Sequence, residues 1–288
     1  MTGLSMVDDE GDCYVDDKYQ PLTLRDIDSY RVDPGLQDFL ERKRAEAGVP
    51  RHEFRVLDFG CGRGQSVALL RRQGWQAYGL EVDEQWIRYA EPGLREAGLY
   101  EPGLLRIGKN AGGPGFDDGF FHLVYSSSVF EHVLDLPAAV GDITRMTTAG
   151  GWGYHWFIGR WSPVERHLDM PLVHWLPKNR LRWCMVAAAV LAGKEPGWKA
   201  VAAMDFWQRV NVYYDYSVRE TIYRPVTAYQ NAFIDAGQQV ELEVLNHPRL
   251  RGSRLSALNQ IPGGKRMLEA LCTTFKIVIV STQKPATA

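Results

Sequence analysis

The stretch "RVLDFGCGRGQSVALL", residues 55–70, decides how this chain is read. An apolar run of strand type, residues 54–59, is interrupted only by Asp58 near its end and by Arg55, and residues 64–73 have helical spacing. In the turn between them Gly60, Gly62 and Gly64 alternate, so every second side chain is missing from one surface. Glycine accepts the left-handed backbone of such a turn and allows close approach. A bare turn at the carboxyl end of a strand, opening a helix, is where an open parallel sheet lays a ligand on its backbone.

The flanking sequence continues the same alternation. Strands are predicted at 76–82, 103–108, 120–127 and 151–157, with helices at 84–97 and 137–147 between them. Ahead of them, Asp33 as cap, Pro34 in the first turn and Gly48 at the end bracket a helix whose Leu36, Phe39 and Leu40 share a face. Strand and helix in alternation argue for a doubly wound parallel sheet covered on both faces. After residue 157 the alternation lapses for about 70 residues and resumes with a helix at 226–236 and strands at 239–245 and 275–282. The expected organisation is an acidic tail over 1–20, a core over 21–157, an inserted helical lid over 158–225, and a returning part of the core over 226–288 that carries a basic interruption.

Composition sets the outer limits. With 288 residues, 45% of them hydrophobic, the chain can bury a proper core. A net charge of −2 gives no bulk attraction to nucleic acid, which is excluded as the expected partner. Cys13, Cys61, Cys184 and Cys272 form no CxxC pair, and the start of the chain resembles no secretory signal, so a reducing cytoplasm is expected. The apolar run "WCMVAAAVLAG" at 183–193 falls well short of the roughly 20 residues of a membrane helix. Flanked by Lys178, Arg180, Arg182 and Lys194, it is compatible with peripheral membrane contact only.

Glycine spacing chooses between ligands. A dinucleotide fingerprint counted from Gly60 needs glycine at position 65, where this chain has Gln65. Asp58 would also repel a pyrophosphate. A nicotinamide-dependent reductase therefore fails, and the preferred ligand is a nucleoside bearing a positive group.

The segment "VLDFGCGRG" resembles the nucleotide-binding motif of class I S-adenosylmethionine-dependent methyltransferases, (V/L)LDxGxGxG. The resemblance implies that Asp58 faces the ammonium group of S-adenosylmethionine and that Gly60, Gly62 and Gly64 bed its methionine part. Glu81, 23 positions after Asp58 in "AYGLEVDE", matches the acid that binds ribose, leaving Asp83 to cap the next helix. "GKNAGGPGFDDGFFHLV" keeps the frame of the adenine segment but has Asn110 for its first Asp, and His122 where the family has an Asp. "VYSSSVFEHV" resembles the segment after the fourth strand, which puts Ser126 and Ser127 near the cofactor and has Glu131 and His132 opening the next helix. Cys61, Val82 and Ala111 complete the implied cofactor-binding set. The family core further implies a seven-stranded Rossmann-like sheet of order 3-2-1-4-5-7-6 with the last strand antiparallel.

Such enzymes need mainly alignment of an activated methyl group, with a base where the acceptor is a hydroxyl or an ammonium. Candidate bases lie in and beside "SPVERHLDMPLVHWLPK": His167 first, then His174 and His155. Glu165, Trp175, Tyr213 and Tyr214 are the candidate acceptor-binding residues. No local spacing of histidines and acids suggests a metal. The expected activity is methyl transfer to a small-molecule or glycan hydroxyl, with an amine as the variant acceptor. Cyclisation or aminoalkyl transfer by the same fold is the alternative, and a non-catalytic cofactor-binding module the remaining one.

Overall fold

Alternate residues of the first strand, β1 (Arg55–Phe59), enter different cores: Val56 packs on one face of the sheet and Leu57 on the other, and neither is exposed. This double burial is what a central parallel strand requires. The computed structural model describes residues 20–275 and 277–286. Most of the acidic tail read at 1–20 lies outside the described residues.

In chain order the strands continue as β2 (Gln76–Glu81), β3 (Leu105–Ile107), β4 (Phe121–Ser127), β5 (Thr147–Ile158), the short β6 (Val164–Glu165) and β7 (Met170–Pro171), β8 (Gln239–Leu242) and β9 (Ile277–Gln283). Seven of them form one sheet in the order β3-β2-β1-β4-β5-β9-β8, with β9 antiparallel to both neighbours. The pair β6-β7 is a separate antiparallel hairpin. With that hairpin set aside, the order is the one the resemblance implies.

The helices are α1 (Leu24–Ser29), α2 (Pro34–Ala47), α3 (Gln65–Arg72), α4 (Glu84–Glu96), α5 (Leu136–Met146), α6 (Arg180–Leu191), α7 (Phe206–Arg219), α8 (Val226–Asp235), α9 (Pro248–Arg251) and α10 (Gly264–Phe275). One face of the sheet is covered by Leu36, Phe39 and Leu40 of α2 with Val67 and Leu70 of α3. The other is covered by Val140 and Ile143 of α5 with Tyr229 and Phe233 of α8. Asp33 caps α2 by accepting the Gly35 and Leu36 N–H groups, and Gly48 ends it in the left-handed region. The helix α1, held by a Thr23–Asp26 capping box, was not among the expected elements. At six residues it is too short to leave a periodic signal.

The insertion has its own core. Leu168, Met170 and Val173 pack against Val186 and Val190 of α6 and Val210 and Tyr213 of α7. Arg182, expected beside a membrane surface, is buried instead and donates to the carbonyl oxygens of Ser217 and Leu176. Lys178 likewise turns inward to the Thr221 carbonyl at 2.9 Å. Both side chains thus tie segments of the insertion together. Among the described residues no helix is long and apolar enough to cross a membrane.

His122, the departure from the family pattern, has a structural account. Its Nδ1 accepts the Arg55 N–H at 2.9 Å where β1 begins, and its ring stacks on Phe54 with centroids 5.1 Å apart. His122→Phe keeps the stacking and leaves that N–H without its acceptor. The expected cost is about 1 kcal/mol, read as a lower urea midpoint at unchanged slope.

Candidate functional site

The strand order reverses between β1 and β4, and the glycine turn sits at that point, beyond the strands' carboxyl ends. Gly60, Gly62 and Gly64 all adopt positive φ, at 80°, 52° and 73°. Two of them serve different ends. A Cβ on Gly60 would come 2.5 Å from Val129 Cγ2, so this glycine lets the turn pack on the segment after β4. A Cβ on Gly62 would meet nothing within 4 Å, because Gly62 borders open space.

That space is a cavity of roughly 910 Å³ with Gly60, Gly62, Glu81, Val82 and Asn110 on its lining. Glu81 stands at the end of β2 and is 8% exposed. Its Oε2 accepts the Gly62 N–H at 2.8 Å and its Oε1 the Val82 N–H at 2.8 Å, which ties the turn to the second strand. Burial pushes its pKa up while these N–H groups pull it down. Asp58 lies buried at the end of β1. Burial pushes its pKa up to about 7, with the Tyr125 hydroxyl bond opposing and the Glu81 charge adding to the rise.

The far wall comes from the segment between β4 and α5 and from the lid. Ser128, at φ 55° a left-handed non-glycine residue, turns the chain out of β4 and lies on the cavity with Val129 and His132. Tyr216 and Glu220 reach it from the lid. The lid is fastened here: Ile222 N–H donates to the Glu131 carbonyl at 2.6 Å, and Arg224 donates to the carbonyls of Val133 and Leu134 at 2.7 and 2.9 Å. Glu131 and His132 do not open a helix, as the motif implied; Asp135 caps α5, which starts at Leu136.

The remaining expected residues divide by place. Cys61 is buried, its thiol pushed well up by burial, and a Cβ on Gly79 would strike its sulfur. Asp83 caps α4 through the Gln85 N–H, as read. Ala111 is exposed beside Asn110 and off the cavity lining. Ser126 and Ser127 border a second cavity of about 820 Å³, lined also by Arg31 and His247.

Of the candidate bases, His155 is sealed in the sheet, stacked on Phe233 at 4.7 Å with its pKa pushed down to about 3 by burial, and lies on neither cavity. Strand parity sends it to the face that α8 covers. His174 is buried in the lid with its pKa held down to about 4 by desolvation. His167 is joined to Glu165 at 2.8 Å and approaches His132, its Nε2 3.2 Å from the His132 Nε2. Trp175 donates to the Ser162 carbonyl, and Tyr213 to the Pro196 carbonyl inside the lid core, where Tyr214 also packs. The lid residues on the cavity are Tyr216, three positions beyond Tyr213 on the same helix, and Glu220.

Residues 57–154 match the family model described as a methyltransferase domain. This span belongs to that methyltransferase domain family. The chain is 26% identical over 162 residues to the malonyl-[acyl-carrier protein] O-methyltransferase of Erwinia billingiae, covering 53% of this chain and 61% of that one. It is 29% identical over 122 residues to the ubiquinone biosynthesis O-methyltransferase of Methylococcus capsulatus, covering 42% and 48%. The chain thus spans about half to three fifths of these curated relatives. The YcgJ protein of Bacillus subtilis overlays it with a TM-score of 0.48 at 15% identity, over 88% of this chain and 99% of that one.

Within the methyltransferase domain the glycine turn, Glu81 and Asn110 were legible from motif order. Trp86, which also lines the cavity from the first turn of α4, was not. Its position three residues after the Asp83 cap was the available signal. Ser128 and Val129 were hidden inside a recognised motif, since a strained φ leaves no mark in the sequence.

Proposed function

We propose that this chain transfers a methyl group from S-adenosylmethionine to a hydroxyl oxygen of a small-molecule acceptor. The observation that carries the reading is the cavity whose one wall is the bare Gly60–Gly62 backbone with Glu81 and whose other wall is His132 with Tyr216 and Glu220 of the lid. Its volume stands near the top of the usual range for single-ligand pockets, roughly 300–1,000 Å³, and suits two ligands side by side. Both curated relatives named above are O-methyltransferases, which supports an oxygen acceptor.

When bound, S-adenosylmethionine supplies a methyl group on a sulfonium, an activated leaving group. Glu81 holds the ribose hydroxyls, Asn110 offers its side-chain amide to adenine, and Asp58 counters the ammonium. The lid sets the acceptor in line, where positioning alone contributes several kcal/mol. In the balanced step the acceptor's O–H proton leaves to water, an oxygen lone pair forms the new C–O bond, and the S–C pair returns to sulfur.

Incubation with methyl-labelled cofactor, small phenols and glycan extracts tests the reading. Label in a phenol product with S-adenosylhomocysteine released supports it, and label confined to glycans would move the acceptor class. Methylthioadenosine as the released nucleoside would replace methyl transfer by aminoalkyl transfer. Cofactor uptake without turnover on any acceptor would leave a binding module.

Asp58 adds a pH dependence. With its pKa at about 7, its carboxyl is mostly neutral at pH 6 and charged at pH 8. A cationic ligand favours the charged form, so affinity is expected to rise with pH up to about 7, and binding at pH 6 releases a proton. Calorimetry in buffers of different ionisation enthalpy reads that proton. Asp58→Asn should abolish its release.

A further inference from the structure

At the lid end of the cavity two imidazoles face each other. His132 Nδ1 lies 2.7 Å from the Glu220 carbonyl oxygen, which only accepts, so this nitrogen carries the proton. His167 Nδ1 lies 2.8 Å from Oε1 of Glu165, a buried carboxylate, and is protonated in the same way. Each Nε2 then presents a lone pair, and the two stand 3.2 Å apart. Two lone pairs at that distance repel each other unless a proton or a metal ion is shared between them. For an ion holding nitrogens at about 2.0–2.1 Å in tetrahedral geometry, the nitrogen–nitrogen edge is about 3.3 Å. The observed 3.2 Å is close to that edge.

A third ligand completes the group. Glu131 is fully buried and among the described residues its two carboxylate oxygens accept no well-formed hydrogen bond, with its own N–H and the Ser128 hydroxyl nearby. Ligand atoms of Glu131, His132 and His167 all lie within 4.8 Å of one another. Around them stands the kind of outer shell that orients metal ligands: the Glu220 carbonyl behind His132, and Glu165 behind His167, itself bonded by the Tyr223 hydroxyl.

We propose that Glu131, His132 and His167 bind one divalent first-row transition ion, of the zinc or iron(II) class, at the lid end of the cofactor cavity. Two imidazoles and one carboxylate suit such ions better than magnesium or calcium, which take oxygen ligands. Three protein ligands leave a coordination position open. Because His132 lines the cavity, that position holds the acceptor's hydroxyl oxygen and makes its proton easier to lose. This role rests on the methyl-transfer reading, whereas the binding of the ion does not.

The test is dialysis of the chelator-treated full chain against Zn²⁺ alone, with retained metal counted by mass spectrometry. A single retained equivalent is expected, lost in His132→Ala and His167→Ala, with Mg²⁺ not retained. Co²⁺ added to the unmutated chain should give the visible d–d bands of four- or five-coordinate nitrogen and oxygen ligation, a readout that stands even if a variant fails to fold. No retained zinc and no such bands, or equal retention by the variants, overturns the site. Cofactor uptake is measured on the same preparations by calorimetry. Uptake without metal sinks the ion alone, and metal without uptake keeps the ion and sinks the proposed function.

Discussion

Gly62→Ala is expected to weaken uptake of S-adenosylmethionine by about a hundredfold while the chain stays folded. The position has φ 52°, so an alanine there costs about 1–2 kcal/mol of stability, which a domain of this size survives. Nothing of the protein lies within 4 Å of the added methyl, which therefore intrudes only on what fills the cavity. Overpacking against a ligand costs typically 1–3 kcal/mol, and each 1.4 kcal/mol is a factor of ten in affinity. Calorimetry for uptake and urea unfolding for stability separate the two effects. A variant that binds as tightly as the parent would place the cofactor elsewhere. Gly60→Ala is the contrasting control: its Cβ would meet Val129 at 2.5 Å, so it disturbs the turn as well as the ligand.

Glu81→Ala is expected to reduce uptake by a comparable factor, roughly two orders of magnitude. The carboxylate has two duties. It accepts the Gly62 and Val82 N–H groups and so shapes the turn, and under the proposed reading it also accepts the ribose hydroxyls. Hydrogen bonds to a charged group contribute about 1.5–3 kcal/mol each. A double-mutant cycle with a 2′-deoxy nucleoside analogue separates the duties. If Glu81 holds the ribose, removing the 2′-hydroxyl costs affinity in the parent and almost none in Glu81→Ala. Equal losses in both would confine Glu81 to shaping the turn.

Much of this molecule is written in short-range pattern. Strand parity in β1, the Asp33 cap with Gly48 as stop, and the three alternating glycines each act within a few residues, so the order of amino acids alone reveals them. The strand order followed from the resemblance, and the lid from the lapse of alternation. The lid's details did not follow. Tyr213 and Tyr216 share one face of α7 and both pack in the core of the insertion, and only the packing of that helix decides that Tyr216 also borders the cavity. His155 reads as a polar residue free for chemistry until α8 is seen to cover its face of β5.

By itself, then, the sequence determined a glycine turn at the end of a central strand, an acid at the end of the next, and the order of elements around them, because periodicity, capping and backbone freedom are local properties. Only the tertiary structure decided which side chains share the cavity. His132 and His167 are 35 positions apart and carry no common motif, and the strap from Glu220 to Arg224 brings the lid down on the turn after β4 so that their rings meet. Such a meeting is fixed by how two separate cores pack together, a long-range quantity that no window of sequence contains.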